Sequence, residues 1–521
     1  MMGKRVVKTL VLGGLLAAAE GNANLIFAQA AAQTAEAATS AAIARVRSID
    51  PRVHAVIALD PTALEQARAI DGKGGARGLL YGYAILLKDN IEADGPLPTT
   101  AGSLALMENV THRDAPLVAR LRAAGAVILG KTNLSEWANI RSNASISGWS
   151  GVGGQTRNPF ALDRDPCGSS SGSAAAVAAG EVEAAIGTET DGSITCPAAL
   201  NGVVGLKPTV GLVSRSRIVP ISVSQDTAGP IAADVATAAR VLKAIAGSDT
   251  DDAATKDADG HIGDYLASLK PDALKGARIG VLRFAMGWSA GTDKVFERAL
   301  EVLKAQGATL VDIKELKGHE KIGEAEGLVL NTEFKAGINA YLATTPSAVK
   351  SRTLADLISF NTAHADRELA LFGQETFIKA EGLKGLDDPD YKKARETSLR
   401  LAGIEGIDAM LAQDHLDALV CPTMPPAWKI DAANGDQISG GGAGYLAAVA
   451  GYPHLTVPMG AVMGLPVGLS IMGPAWSEAR LLGFGFAYEQ AAGVKLMPRF
   501  LPSIEGEGPV APLLEPVKRR D

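Results

Sequence analysis

Short apolar runs alternate with amphipathic stretches along most of the chain. Tyr83–Leu87 and Ala126–Leu129 are uniformly apolar, which is typical of buried strands. The segment 115–124 between them has helical periodicity and ends at Gly125. The resulting unit is a strand, a helix and a second strand, which predicts an α/β fold in which helices pack on a sheet.

The same alternation returns in the C-terminal half. A helix is predicted over 293–306, with Thr292 as its N-cap and Gly307 as its stop. Residues 34–70 predict two helices interrupted at Asp50-Pro51 and Asp60-Pro61, and 345–400 predict a charged helical insertion on the surface. Further strands are predicted at 277–282, 310–313, 418–420, 454–457 and 467–471.

Composition narrows the class of protein. The 521 residues are 47% hydrophobic and 21% charged, which provides a large core, and no Pro-rich or Ser-rich linker divides the chain. One large domain is therefore expected. The net charge of -7 and an aromatic content of 5% argue against a nucleic-acid partner, because such proteins need cations for phosphates and rings for bases.

The N-terminus has the pattern of a secretory signal. Three basic residues (Lys4, Arg5 and Lys8) precede the apolar run Leu10–Ala19, and Ala28-Gln-Ala30 fits a signal-peptidase site. The run is shorter than the roughly 20 residues that span a bilayer, so no stable membrane anchor is expected. We predict that residues 1–30 are a signal peptide and that the mature chain, 31–521, has a net charge of -9 and is periplasmic or secreted.

The chain has three cysteines: Cys167, Cys196 and Cys421. An exported protein can form disulfides, so a bridge between Cys167 and Cys196 is one alternative, but buried free thiols are the expectation favoured here. No CxxC or His/Cys cluster indicates a metal site, and no metal or other cofactor is expected.

Candidate chemistry lies in two loops and one lysine. Gly168–Ala174 contains four hydroxyls and two glycines directly before an Ala-rich helical run, and Ala185–Ser193 leads an apolar strand into a Thr-Asp-Gly-Ser turn. None of the seven histidines lies in these loops. Lys88 ends an apolar strand, where burial could lower its pKa enough to make it a base, although a surface lysine paired with Asp89 is the alternative.

Together these segments resemble the amidase signature family of serine hydrolases. The resemblance is strong over about residues 35–235 and looser at 451–469. It rests on the following motifs: Lys88-Asp-Asn90, Thr99-Thr-Ala-Gly-Ser103, Gly130-Lys-Thr-Asn133, Gly168-Ser-Ser-Ser-Gly172, Gly187-Thr-Glu-Thr-Asp-Gly-Ser193 and Gly205-Leu-Lys-Pro208.

The resemblance implies a fold and a set of site residues. The fold would be one domain with a mixed β-sheet core covered by helices on both faces, with the signature core at about 80–235. Ser193 would be the nucleophile, Ser169 the bridging serine after a cis peptide bond, and Lys88 the base. Ser171 is a candidate for supporting contacts, and Asp226 is expected to be structural. Backbone N–H groups would form the oxyanion hole: Thr190, Asp191, Gly192 and Ser193.

Within that family the motifs look most like bacterial peptide amidase, which implies deamidation of C-terminal peptide carboxamides. A broad aliphatic or aryl amidase is the alternative, whereas the amidotransferase subunit that feeds ammonia to aminoacyl-tRNA is disfavoured by the signal peptide and the acidic charge. Residues 345–400 are expected to contribute to specificity. The sequence leaves the oligomeric state open.

Interpretations outside the family are weaker. An α/β-hydrolase esterase would use Ser170, in Gly168-Ser-Ser-Ser-Gly172, together with His415 or His454. A non-catalytic peptide-binding relative would be expected to lack one member of the Ser-Ser-Lys set, and here all three are present.

Overall fold

A mixed sheet of eleven strands runs through the molecule. The structure, a computed structural model, describes residues 34–73, 77–508 and 510–514, so the predicted signal peptide at 1–30 lies outside the described residues. The strand bounds are β1 Val56–Leu59, β2 Ala84–Lys88, β3 Val127–Thr132, β6 Ala184–Glu189, β7 Val204–Lys207, β8 Thr227–Ala232, β9 Arg278–Leu282, β10 Thr309–Ile313, β11 Ala418–Pro422, β12 His454–Val462 and β13 Leu465–Met472. In the sheet they follow in the order β1-β3-β2-β6-β8-β7-β12-β13-β11-β9-β10.

Parallel and antiparallel pairs are both present. The strand β2 pairs in parallel with β3 and β6, and β9 pairs in parallel with β10 and β11. The strands between these two groups pair antiparallel. A separate ribbon joins β4, Trp149–Ser150, to β5, Gly154–Gln155. The predicted mixed sheet is confirmed.

Helices cover both faces of this sheet. Their bounds are α1 Ala35–Val53, α2 Ala63–Gly72, α3 Pro116–Ala123, α4 Ser171–Ala178, α5 Thr195–Leu200, α6 Val235–Ile245, α7 Ala258–His261, α8 Ala290–Ala305, α9 Ile322–Ala343, α10 Leu354–Ala363, α11 Ala365–Glu368, α12 Glu375–Glu381, α13 Pro389–Leu399, α14 Ala409–Gln413, α15 Gly444–Ala450, α16 Glu478–Ala492 and α17 Ala511–Leu514. Along β2 the side chains alternate, as the two-residue period of a strand requires. Ile85 and Leu87 pack in one buried cluster, with α3, α6, α8 and α16, and Leu86 packs in a second cluster, with α1, α2 and α4.

Two predicted helix boundaries were wrong. The helix α8 begins one turn early, because Ser289 and not Thr292 is the N-cap; the Ser289 hydroxyl accepts from the N–H of Thr292. The helix α1 continues past Asp50 through Pro51 to Val53. Pro51 lies in the last turn of this helix, and the chain leaves the helix at His54, which is in the left-handed conformation.

Residues 345–400 contain the four helices α10 to α13. Glu368 attaches this segment to the body of the protein: its buried carboxylate accepts from the N–H of Leu104 at 2.7 Å and from the Ser103 hydroxyl at 3.3 Å. In the described segments, no helix combines the length and apolar character needed to cross a bilayer.

Candidate active site

Lys88 is placed by the alternation of β2. It shares the face of Leu86, on which α4 packs, and it is the last residue of the strand. Because β2 and β6 are parallel, their carboxyl ends lie at the same edge of the sheet. The strand β6 ends at Glu189, so the Thr-Asp-Gly-Ser turn that follows it begins beside Lys88. The start of α4 lies there too, because Ser169, two residues before α4, contacts Lys88.

The Lys88 ammonium nitrogen is fully buried and has three neighbours. Nζ lies 2.8 Å from Ser169 Oγ, 2.9 Å from Thr188 Oγ1 and 3.2 Å from the Thr188 carbonyl oxygen. The side-chain amide of Asn90 also donates to Thr188 Oγ1, at 2.9 Å. These contacts fix the end of the lysine against the serine loop.

Burial lowers the pKa of Lys88 to about 7, against the opposing effect of the carboxylates of Asp226 and Glu189, which favour the charged form. A large part of the lysine is therefore neutral at neutral pH, as a general base requires. The surface alternative for Lys88 is wrong. Asp89 pairs instead with Lys131, whose Nζ lies 3.8 Å from Asp89 Oδ1.

The serine loop is held from several sides. The peptide bond between Gly168 and Ser169 is cis, as the family resemblance implied. The carbonyl of Ser169 accepts from the N–H of Ser135 at 3.1 Å. Ser170 Oγ donates to the Thr188 carbonyl at 3.0 Å, and Ser171 Oγ donates to the Cys167 carbonyl at 2.7 Å. Ser171 thus supports the loop without a hydrogen bond to Lys88, Ser169 or Ser193.

The turn after β6 presents unpaired backbone donors. In the described part of the chain, none of its four amide groups donates to a protein acceptor. Glu189 holds the chain directly after the turn: one of its carboxylate oxygens accepts from the N–H groups of Ile194 at 2.7 Å and Thr195 at 2.9 Å. Gly192 has φ of +78°, and a Cβ there would meet no atom within 4 Å, so the space above the turn is open. These donors are Thr190, Asp191, Gly192 and Ser193.

A backbone hydrogen bond joins the segments that carry Ser169 and Ser193. The N–H of Ser170 donates to the Ser193 carbonyl at 3.1 Å. Among the described residues, no hydrogen bond joins the hydroxyls of Ser169 and Ser193, so direct proton transfer between them requires a rearrangement of their side chains. Ser193 is 8% exposed, whereas Ser169 and Lys88 have no exposed surface.

A disulfide joins the two loops. Cys167 lies two residues before Ser169, Cys196 lies three residues after Ser193, and their sulfurs are bonded with the Cα atoms 6.0 Å apart. The expectation of free thiols was wrong for this pair, because the sequence does not show that the two loops fold against each other. Cys421 is free and buried, as expected.

A cavity of about 420 Å³ opens above the turn. Its lining includes Ser193 and the two disulfide cysteines, together with Leu330 of α9, Met424, Tyr445 and His454. A second cavity, of about 250 Å³, adjoins it and reaches Ser169, Thr188 and Asn90. Among the described residues, none from 345–400 lines either cavity, so the expected contribution of that segment to specificity is not seen.

Ser170, the alternative nucleophile, has no histidine base beside it in the described structure. Ser170 Oγ is bonded to the backbone of Thr188, and neither His415 nor His454 contacts it in the described structure. His454 Nε2 lies 2.7 Å from Ser470 Oγ, and burial lowers the pKa of His454 to about 3. The geometry does not support an α/β-hydrolase site. The described residues also contain no group of three or more His, Cys, Asp or Glu side chains able to hold a metal ion.

Sequence reasoning missed the role of Thr188. Its hydroxyl and carbonyl both contact Lys88, although the residue lies inside a quoted motif. The sequence predicts that Thr188 lies near the end of a strand, but it does not predict that this strand, β6, pairs with β2. The Asp226 carboxylate accepts from Thr190 Oγ1 at 2.6 Å and from the N–H groups of Ile221 and Ser222, which fits the expected structural role. Its charge also raises the pKa of Lys88, against the effect of burial.

Comparisons with known proteins find solved structures that share this fold. A solved structure of native peptide amidase from Stenotrophomonas maltophilia is 52% identical, with a TM-score of 0.85 over 90% of this chain and 96% of that one. A complex of the peptide amidase PAM with the competitive inhibitor chymostatin is 53% identical, with a TM-score of 0.87 over 90% of this chain and 97% of that one.

Curated relatives are more distant in sequence. A probable amidase of Arabidopsis thaliana is 39% identical over 88% of this chain and 86% of its own length. A subunit of the glutamyl-tRNA(Gln) amidotransferase of Roseiflexus castenholzii is 38% identical over 87% of this chain and 91% of its own length. The model of the Amidase family matches residues 37–482. This chain is an amidase that acts on amide bonds, and it belongs to the amidase signature family.

Proposed function

We propose that the protein hydrolyses carboxamides through a relay of Lys88, Ser169 and Ser193, and that its substrates are the C-terminal amides of peptides. The observation that supports the relay best is the contact of 2.8 Å between Lys88 Nζ and Ser169 Oγ in a fully buried site. Burial holds the pKa of that lysine at about 7, so the base is available without a histidine.

In the proposed reaction, neutral Lys88 takes the proton of Ser169 while Ser169 takes the proton of Ser193. The Ser193 oxygen attacks the carboxamide carbon, and the carbonyl oxygen becomes an oxyanion. The proton returns through Ser169 to the leaving nitrogen, the C–N bond breaks, and ammonia departs. Water, deprotonated by the same relay, then cleaves the acyl-serine ester and releases the carboxylic acid.

The oxyanion is proposed to bind at the turn of residues 190–193. Its amide groups have no protein acceptor in the described structure, and all four of its residues line the 420 Å³ cavity. One such donor contributes roughly 2.7–4 kcal/mol to transition-state binding in serine hydrolases. Glu189 keeps these groups aligned by holding the following residues.

The peptide-amide substrate is supported by similarity and by the cavity. Two solved peptide amidase structures are 52 and 53% identical to this chain. Among its described lining residues, the 420 Å³ cavity has no lysine or arginine that could bind the free carboxylate of a substrate such as glutamine. A neutral peptide carboxamide needs no such cation.

The test is ammonia release by the purified protein from an amidated dipeptide, propionamide and glutamine, each beside Ser193→Ala. We expect release from the dipeptide amide that depends on Ser193. A preference for propionamide would keep the relay but overturn the peptide assignment in favour of a broad aliphatic amidase. Release by Ser193→Ala at the rate of the unmodified protein would overturn the relay.

We also propose export of the protein. The support is the basic, apolar and small-residue pattern within residues 1–30, together with the Cys167–Cys196 disulfide, since disulfides persist mainly in oxidising compartments.

A further inference from the structure

Among the described residues that line the cavity above Ser193, one carboxylate has no partner. The described lining of this cavity includes two acidic residues, Asp191 and Asp436, and no lysine or arginine. Asp436 is engaged, because its oxygens accept from the Ser147 N–H and hydroxyl and from the Trp428 indole. Asp191 is exposed to the cavity, and its carboxylate accepts no hydrogen bond and forms no ion pair within the described residues.

The surroundings of Asp191 add negative charge. Removal from bulk water raises the pKa of Asp191 well above its usual range, the carboxylates of Glu326 of α9 and Glu189 of β6 raise it further, and Lys207 opposes them. Lys207 is fully buried and donates to the Pro208 carbonyl at 3.1 Å, so it does not reach the cavity. Glu326 accepts from the Gln225 amide at 2.7 Å. These groups favour the neutral form of Asp191, and a substrate cation beside it would favour the ionised carboxylate, because no described lysine or arginine of this cavity pairs with it.

We propose that Asp191 is a specificity-determining residue that favours amide substrates carrying a positive charge close to the scissile carboxamide. This inference rests on the proposed function of the same site. The charge can be the α-ammonium of an amino acid amide or the basic side chain of the C-terminal residue. Both offer a cation that an unpaired carboxylate in a confined cavity attracts.

Chain geometry limits where that charge can lie. Asp191 is two residues from Ser193, so their Cα atoms are no more than about 7 Å apart. Both residues line the same cavity, so a substrate acylated on Ser193 has the residue that bears its carboxamide in the cavity that Asp191 borders. A cation several residues away along the peptide would lie beyond it, whereas a cation on the residue that bears the carboxamide would not.

The same charge acts against anions. A substrate with an acidic side chain next to the carboxamide would be repelled, and so would the carboxylate product after deacylation. The arrangement thus predicts discrimination in both directions at one position.

The experiment measures kcat/KM for ammonia release at pH 7.5 with three N-acetylated amides of nearly equal length: acetyl-lysinamide, acetyl-norleucinamide and acetyl-glutamic acid α-amide. Leucinamide and acetyl-leucinamide form a second pair that tests the α-ammonium. Each substrate is assayed with the unmodified protein and with Asp191→Asn and Asp191→Glu. Asp387→Asn, a fully exposed residue away from both cavities, is the control for net charge.

We expect the kcat/KM ratio of the cationic to the neutral substrate to fall about tenfold in Asp191→Asn in at least one pair. Asp191→Glu should retain most of the ratio, and Asp387→Asn should leave it unchanged. The acidic amide should gain relative to the neutral one in Asp191→Asn, a gain that damaged folding cannot produce.

Two failures are distinguishable. If Ser193-dependent hydrolysis of the neutral amides occurs but the ratios do not change in Asp191→Asn, the specificity inference is overturned and the proposed function stands. If none of the amides is hydrolysed in a Ser193-dependent way, the proposed function itself fails. The pair that responds identifies the source of the cation, side chain or α-ammonium.

Discussion

At the scale of single residues, the site depends on Lys88, whose burial favours the neutral amine over the charged ammonium. Burial lowers the pKa of Lys88 to about 7, and the base is the deprotonated form. We therefore expect kcat/KM to rise with pH through about 7 and to level off above it. Lys88→Met should lose more than about a thousandfold in kcat while remaining folded by circular dichroism. A variant with near-normal turnover would exclude Lys88 as the base.

Asp226 is the first of two carboxylates that favour the charged form of Lys88. Removing that negative charge should lower the pKa of Lys88 further, so the acidic limb of the kcat/KM profile in Asp226→Asn should move to lower pH. The measurement is the full pH profile with acetyl-leucinamide, beside the exposed Asp387→Asn as the control for net charge. A limb that stays in place or moves to higher pH would show that Asp226 acts only through its hydrogen bonds to Thr190, Ile221 and Ser222.

At the scale of elements, the disulfide joins the loop that carries Ser169 to the start of α5, which follows the nucleophile turn. Cys167 and Cys196 are 29 residues apart, and closing a loop of this length stabilises a protein by about 3 to 4 kcal/mol in the chain-entropy model. We expect reduction, or Cys167→Ala with Cys196→Ala, to lower both the free energy of unfolding by about this amount and kcat.

Thiol titration provides the control for that prediction. The denatured protein should show one reactive thiol, Cys421, before reduction and three after it. Cys421→Ala should remain as sensitive to reductant as the unmodified protein. Three thiols in the denatured protein before any reductant is added would contradict the disulfide.

The elements that follow from local pattern were predictable, and the contacts between them were not. Apolar runs identified β2, β3 and β9 because a buried strand has no polar face. The N-cap of α8 was misplaced by one turn, because Ser289 and Thr292 are both acceptable caps and only the folded chain selects one. Family motifs supplied Lys88, Ser169 and Ser193. The partner Thr188 required knowledge that β2 and β6 are neighbours.

At the scale of the whole molecule, the site combines distant parts of the chain. The relay comes from the first half, through β2, the serine loop and the turn after β6. Another part of the cavity lining comes from α9 and from residues 423–454, which lie outside the strongly matching motifs. This division explains why the motifs predicted the catalytic residues and the backbone role of Asp191, whereas the proposed role of its side chain required the fold, which brings Glu326 of α9 near it.

The last prediction concerns the mature chain. The described fold begins at Thr34, whose hydroxyl accepts from the N–H of Ala37, and Asp71 of α2 accepts from the N–H groups of Ala35 and Glu36. The start of α1 is thus stabilised by residues within 34–73. We expect a protein expressed as residues 31–521 to match the Tm and kcat/KM of the enzyme that the proposed export would release.

Expression of the full sequence in a Gram-negative host supplies that processed enzyme and tests export. Mass spectrometry of the periplasmic fraction should find an N-terminus near residue 31, with the Cys167–Cys196 disulfide formed. An intact N-terminus confined to the cytoplasm would contradict export. A truncated protein with a lower Tm than the full chain would instead show that residues 1–30 contribute to the fold, because a removable signal makes no stabilising contacts with the mature domain.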